Sequence, residues 1–181
     1  MVLWVIGLSG AGKTTLSRAV HHQLKLRYPN TVMLDGDQVR EIFGHDVGHT
    51  VEDRWKHAQR LSRLCRCLSE QGLHVVCAVL SIFHESQRWN RSHIPNYFEV
   101  YLHAPFAQLV QRDSRGLYQA ALRGELKDVV GVDIAFPTPC QPDLVIQNDG
   151  TLHELLDQVE TVMTRLPGLE AQPCYPGSSA A

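Results

Sequence analysis

The stretch Val2 to Thr14, VLWVIGLSGAGKT, constrains the fold more than any other part of the chain. Val2-Leu3-Trp4-Val5-Ile6 is short, apolar and rich in branched side chains, as a strand buried on both faces of a parallel sheet requires. It leads directly into Gly7-Leu8-Ser9-Gly10-Ala11-Gly12-Lys13-Thr14, a full G-x-x-x-x-G-K-[ST] phosphate-binding loop. Glycines there allow backbone angles closed to other residues, so successive N–H groups can converge on phosphate oxygens at the start of the next helix. In such a loop Lys13 is expected to reach the β- and γ-phosphates, and the Thr14 hydroxyl to ligate Mg²⁺. A chance glycine-rich turn is the competing explanation. The strand before it and the helical pattern from Thr15 to Arg27 argue against that.

At 181 residues the chain suits one α/β domain with a substantial core. A net charge of −2 excludes a nucleic-acid binder that works through a broad basic surface. No apolar run reaches the roughly 18 residues of a membrane span. Because the first residues are needed as a core strand, a cytoplasmic protein is expected. Five cysteines without a C-x-x-C pair read as reduced thiols packed like small hydrophobes.

Further along, Thr31 to Leu34 is a short strand ending in Asp35-Gly36-Asp37, carboxylates placed where open α/β sheets bind ligands. Either aspartate suits a helix cap, yet two of them beside a phosphate loop exceed what a cap needs, so a catalytic role is expected. Thr50 opens a long helix to about Gln71, with Trp55, Ala58, Leu61, Cys65 and Leu68 as its core stripe and Arg54 on another face. His45, His49 and His57 lack the partners and spacing of a zinc site. Leu73 to Leu80 is a buried strand. The segment Ser81 to Arg91 after it, with two arginines, is a candidate contact for an anionic substrate, although a solvated amphipathic helix fits the same pattern. After a strand at 97–102 and a helix begun by Pro105, residues 112–142 are polar and punctuated by glycine and proline, as expected of a lid that keeps water from a phosphoryl group. Asp143 to Ile146 is the last strand. Thr151-Leu152-His153-Glu154 is a capping-box pattern opening a helix to about Leu166, and residues 167–181 have the composition of a disordered tail. The domain expected is therefore 1–166, a three-layer α/β kinase-type domain with a five-stranded parallel sheet and a lid.

Several motifs in fixed order narrow this further: the phosphate loop, Leu34-Asp35-Gly36-Asp37-x-Val39-Arg40, Glu52-Asp53-Arg54, Arg112-Asp113-x-x-Gly116-Leu117-Tyr118, Gly131-Val132-Asp133, and Pro142-Asp143-Leu144-Val145-Ile146. Together they closely resemble the adenylylsulfate (APS) kinase family over nearly the whole chain to Ile146. The resemblance implies transfer of the γ-phosphoryl group of MgATP to the 3′-hydroxyl of a nucleotide whose 5′-phosphate carries a second anionic group, in a protein that is often a homodimer. It implies that Gly7 to Thr15 and Arg112 hold ATP, with Thr14 and Asp35 serving the metal. Lys13, Asp35 and Asp37 are the catalytic set it implies, with Asp37 as base or hydroxyl orienter. Arg40 and Arg54 match arginines that hold the acceptor's phosphosulfate, Arg115, Gly116 and Leu117 fall on the acceptor side of the lid motif, and Phe136 matches an aromatic that packs on the acceptor's base.

Three departures from the family pattern fall on the acceptor side. A base-stacking phenylalanine corresponds to His49, an Arg-x-x-Asn pattern reads Arg54-x-x-His57, and Ser-Pro-[Tyr/Phe] reads Ser81-Ile82-Phe83. This altered set resembles the branch associated with surface (capsular) polysaccharide synthesis, in which a cytidine diphosphoramidate kinase is known. The departures therefore lean toward a cytidine diphosphoramidate acceptor, with APS, the acceptor of sulfate assimilation, as the alternative. A nucleotide-dependent switch is the competing class, but there is no Asn-Lys-x-Asp string, and Lys13 and both aspartates are present.

Overall fold

A computed structural model describes residues 1–169. Its centre is a five-stranded, all-parallel sheet in the order β2-β3-β1-β4-β5, formed by β1 (Val2–Ile6), β2 (Thr31–Asp35), β3 (His74–Val79), β4 (Tyr97–His103) and β5 (Leu144–Gln147). β1 is the middle strand, pairing Val5 with Ala78 on one side and with Val100 on the other. Each of its residues is buried, and they alternate between two cores. Leu3 and Val5 face a cluster with Leu16, Val20 and Val159, whereas Val2, Trp4 and Ile6 face one with Val39, Leu61 and Cys65. The apolar run thus needs helices on both sheet faces: α1 (Lys13–Arg27) and α7 (Leu152–Arg165) on one, α3 (Val51–Glu70) on the other. At the sheet edge β5 alternates buried Leu144 and Ile146 with exposed Val145 and Gln147, the period of a strand covered on one face.

Helix starts follow their local signals. The Thr50 hydroxyl accepts from the Asp53 N–H, and Thr151 with Glu154 forms a complete capping box. α1 differs, for its N-cap Gly12 has φ 94° and offers no side-chain cap, leaving the first-turn N–H groups for an external anion. Gly7 is required for another reason: a Cβ there would lie 2.5 Å from the Leu102 carbonyl oxygen of β4.

Three expectations change. Residues 112–142 are not polar throughout: they contain α6 (Leu117–Leu122), and Tyr118, Ala121 and Val129 lie in the first core, so the segment expected as a lid is rooted in the domain. Trp55 is half-buried and packs edge-to-face on Phe83 rather than in the core. Cys65 and Cys77 are buried, but Cys67 and Cys140 are exposed, because the former lies on the outer face of α3 and the latter in the loop before β5. Of the segment expected as a tail, Leu169 packs against the first core, and residues 170–181 lie outside those described. No helix among the described residues is long and apolar enough to cross a membrane.

Candidate active site

The carboxyl ends of β1, β2 and β3 open onto two adjoining cavities. The first, of about 330 Å³, is lined by Ser9, Gly10 and Gly12 to Thr15 of the phosphate loop, by Asp35 and Asp37, and by Arg112 to Arg115. The second, of about 400 Å³, is lined by Arg40, His49, Arg54, His57, Leu117 and the segment Leu126 to Val130. Ser9, Gly36, Asp37, Val79, Leu80 and Arg115 line both, and at this shared boundary the charged atoms of Asp37 and Arg115 are 3.6 Å apart.

On the loop side, Lys13 folds back so that its ammonium donates to the Leu8 carbonyl at 2.8 Å. Burial lowers its pKa to about 8, against the opposing pull of Asp37 and then Asp35. The Thr14 hydroxyl donates to Asp35 Oδ2 at 2.7 Å, while Asp35 Oδ1 accepts from the Asp37 N–H at 3.0 Å. Asp35 therefore caps α2 (Gly36–Ile42) and also joins Thr14 in a pair of oxygens beside the phosphate loop; cap and site role coexist in one side chain. Gly7, Leu8 and Ala11 do not line the cavity. Leu8 packs on Gly131, and the Ala11 carbonyl accepts from Asn148 Nδ2 at 2.8 Å.

Two residues that sequence reasoning did not single out hold this loop. Asn148 is buried just after β5, and Tyr118, 1% exposed, donates its hydroxyl to the Ser9 carbonyl at 2.9 Å. Burial pushes the Tyr118 phenol up to about 12, so it remains a donor throughout the neutral range. Tyr118 carried a signal as the last residue of the Arg112 motif; Asn148, a single polar residue after a strand, carried none. Arg112 lies in the cavity wall but points two donors at the Asn148 and Gly150 carbonyls, bracing the chain after β5.

In the second cavity Arg40 is buried and donates to the Val47 and Gly48 carbonyls at 3.0 and 2.7 Å. Arg54 donates from Nη2 to the Asp128 carbonyl at 2.8 Å, and its buried Nε–H has no partner among the described residues. Neither guanidinium is ion-paired to a carboxylate among those residues. Burial lowers the pKa of each, and for Arg54 the neighbouring Arg40 lowers it further. His57 sits one helical turn beyond Arg54. Its Nε2 lies 2.9 Å from the Gly36 carbonyl, which can only accept, so that nitrogen carries the proton. Burial and then Arg40 push its pKa down to about 4, which keeps the ring neutral. Burial, Arg40 and Arg54 likewise lower that of His49.

Other expected acceptor contacts are placed elsewhere. Ser81 and Ile82 are buried beyond the end of β3, Phe83 packs on Trp55, and none of the three lines either cavity. Phe136 stacks on Tyr101 with ring centroids 6.0 Å apart. The arginines of the 81–91 segment turn away from the site. Arg88 pairs with Glu85 one helical turn earlier in α4 (His84–His93), and Arg91 forms a bidentate pair with Asp143 at 3.0 and 3.1 Å. The segment thus forms a helix from His84 whose arginines are held in ion pairs away from both cavities. Asp143 also accepts from the Glu99 N–H, so Arg91 secures the chain before β5 to β4.

Comparison with known proteins places this geometry. Residues 1–147 match the family model described as adenylylsulphate kinase. The chain is 39% identical over 165 residues to the cytidine diphosphoramidate kinase of Campylobacter jejuni, covering 91% of this chain and 95% of that one. It is 39% identical over 149 residues to the adenylyl-sulfate kinase of Paraburkholderia xenovorans, covering 82% and 83%. Among solved structures, the Mycobacterium tuberculosis APS kinase in complex with AMPPNP and APS superposes with a TM-score of 0.80 at 30% identity, covering 90% of this chain and 96% of that chain. A strand-borne phosphate loop, an acidic motif on the next strand and a match running from the first residue to the end of β5 make the conclusion plain: the chain belongs to the adenylylsulphate kinase family and is a phosphotransferase of that class.

Proposed function

We propose that the chain transfers the γ-phosphoryl group of ATP from the first cavity to the 3′-hydroxyl of a 5′-nucleotide conjugate in the second, and that this conjugate is cytidine diphosphoramidate. The observation that carries the reading is the pair of cavities meeting at Asp37, one walled by a phosphate loop and the other by two guanidiniums without carboxylate partners. Cations left in that condition in a half-buried pocket are a receptor for an anionic ligand.

In this mechanism Lys13 leaves the Leu8 carbonyl for the β- and γ-phosphate oxygens. Asp37 accepts the proton of the acceptor hydroxyl as its oxygen forms the new bond to phosphorus and the bond from phosphorus to the β-phosphate oxygen breaks. Arg115, beside Asp37, balances charge between the cavities. Thr14 and Asp35, whose oxygens lie 2.7 Å apart, would hold Mg²⁺, a cation that prefers hard oxygen ligands. When bound, the ion neutralises developing phosphate charge. Catalysis otherwise rests on placement and charge compensation.

The base supports the cytidine reading. His49 replaces one stacking ring, and Phe136 is packed on Tyr101, so the second cavity is less suited to a sandwiched purine. The likeness to the Campylobacter jejuni cytidine diphosphoramidate kinase points the same way. ADP release measured with purified protein, MgATP and separate acceptors tests this directly. Turnover of cytidine diphosphoramidate well above that of APS is expected; the reverse order assigns APS as acceptor, and no turnover of any nucleotide conjugate refutes the proposal. In the same assay Arg54→Ala should raise the acceptor KM by about tenfold or more, the loss of a charge-assisted contact, while the KM for ATP moves less than twofold. Equal changes in both would misplace the acceptor.

Lys13 also gives the binding step a pH signature. Phosphate oxygens raise a lysine pKa, so a group that begins near 8 takes up a proton when ATP binds at pH 8.5, and affinity falls as pH rises through that region. Calorimetry in buffers of different ionisation enthalpy should show this uptake at pH 8.5, a much smaller one at pH 7, and none in Lys13→Ala.

A further inference from the structure

A carboxylate in the wall of an anion-binding pocket is an electrostatic contradiction unless the ligand also brings a hydrogen-bond donor. Asp128 is such a residue. It lines the second cavity, half-buried, and is held there from both sides. Its carbonyl accepts from Arg54, and its N–H donates to Asp133 Oδ2 at 2.6 Å. The backbone between these anchors is left-handed, with φ 63°, a conformation that costs free energy in a non-glycine residue and persists where the surroundings enforce it. Asp128 shares this cavity lining with Arg40, His49 and Arg54, and its charge favours the protonated forms of Arg54 and His49. No ion pair joins it to Arg54 within 4 Å among the described residues, which leaves its oxygens free for a ligand.

This bears on what the acceptor's terminal group is. A nucleoside 5′-phosphosulfate and a nucleoside 5′-diphosphoramidate each carry two negative charges at neutral pH and are nearly the same size. Arg40 and Arg54 bind charge and cannot separate them. The two differ in one property: every terminal atom of the sulfate is an acceptor, whereas the amidate nitrogen carries N–H donors. A carboxylate beside the terminal group repels the first and hydrogen-bonds the second. We infer that Asp128 is the specificity-determining residue of the acceptor site, selecting an acceptor whose terminal group bears an N–H donor over an isostere that bears only oxygen. The inference rests on the reading of the second cavity as the acceptor site and adds the residue that would choose between its two candidate ligands.

The test compares cytidine 5′-diphosphoramidate with cytidine 5′-phosphosulfate, which share base, sugar and charge, in wild-type protein and in Asp128→Asn and Asp128→Gly. Both replacements tolerate the left-handed backbone, so folding is kept, as a thermal melt verifies. Wild-type protein should favour the amidate in kcat/KM by at least tenfold. In Asp128→Gly the preference should fall below threefold, with kcat/KM for the phosphosulfate rising as the like charge is removed. Asp128→Asn, which retains an acceptor oxygen but no charge, should fall between. The KM for ATP should stay within twofold in all three. A wild-type preference that survives in Asp128→Gly, or no wild-type preference at all, overturns the assignment to Asp128 while leaving the kinase reading intact. Absence of turnover with both compounds, in a folded protein that binds ATP, refutes the acceptor site itself.

Discussion

Lys13→Ala is expected to lower kcat by about 10²- to 10³-fold, the size of effect seen when one preorganised charge contact to a transition state is removed. The lysine lies at the first residue of α1 and reaches only the Leu8 carbonyl when no phosphate is bound. Its ammonium is already partly desolvated, so moving to phosphate oxygens entails little further loss of hydration, and the contact strengthens as charge accumulates on the departing β-phosphate oxygens. The loss should therefore appear in kcat as well as in the KM for ATP. Lys13→Arg should restore little, since a longer planar group does not fit a space shaped around a point charge. A change confined to KM would show that the lysine binds ATP without favouring the transition state.

Asp37→Asn should reduce kcat by about 10²- to 10⁴-fold, the range for a positioned general base. The substitution keeps shape and can still orient a hydroxyl, but it cannot take the proton. Position supports this assignment over Asp35. Both oxygens of Asp35 are engaged by Thr14 and by the Asp37 N–H. The side chain of Asp37 is 79% exposed between the two cavities, with Arg115 as its nearby cation. Near-normal kcat in Asp37→Asn would end its role as base and leave orientation alone.

Residues close together in the chain were legible beforehand. The phosphate loop, the Asp35-Gly36-Asp37 motif, the caps at Thr50 and Thr151 and the doubly buried β1 are each set by contacts spanning a few residues, where spacing and geometry are nearly the same thing. The grouping of Arg40, His49, Arg54 and His57 was implied by the family resemblance alone, and α2, α3 and the loop between them bring the four to one cavity.

Side-chain direction was settled only by the fold. The 81–91 segment presents two arginines that suit an anionic ligand equally well on paper, and Asp143, 52 residues beyond Arg91, draws that arginine to the opposite side. Phe136 has the composition of a base-stacking residue but finds Tyr101. The contacts that brace the phosphate loop, Tyr118 to Ser9 and Asn148 to Ala11, span 109 and 137 residues, and that from Arg54 to Asp128 spans 74. A chain segment displays its own periodicity and turn chemistry, but the partner of a buried polar group depends on which distant segment closes over it. Thus the local order of residues dictated that a phosphate would be held, and where; packing across the whole domain decided what stands opposite it.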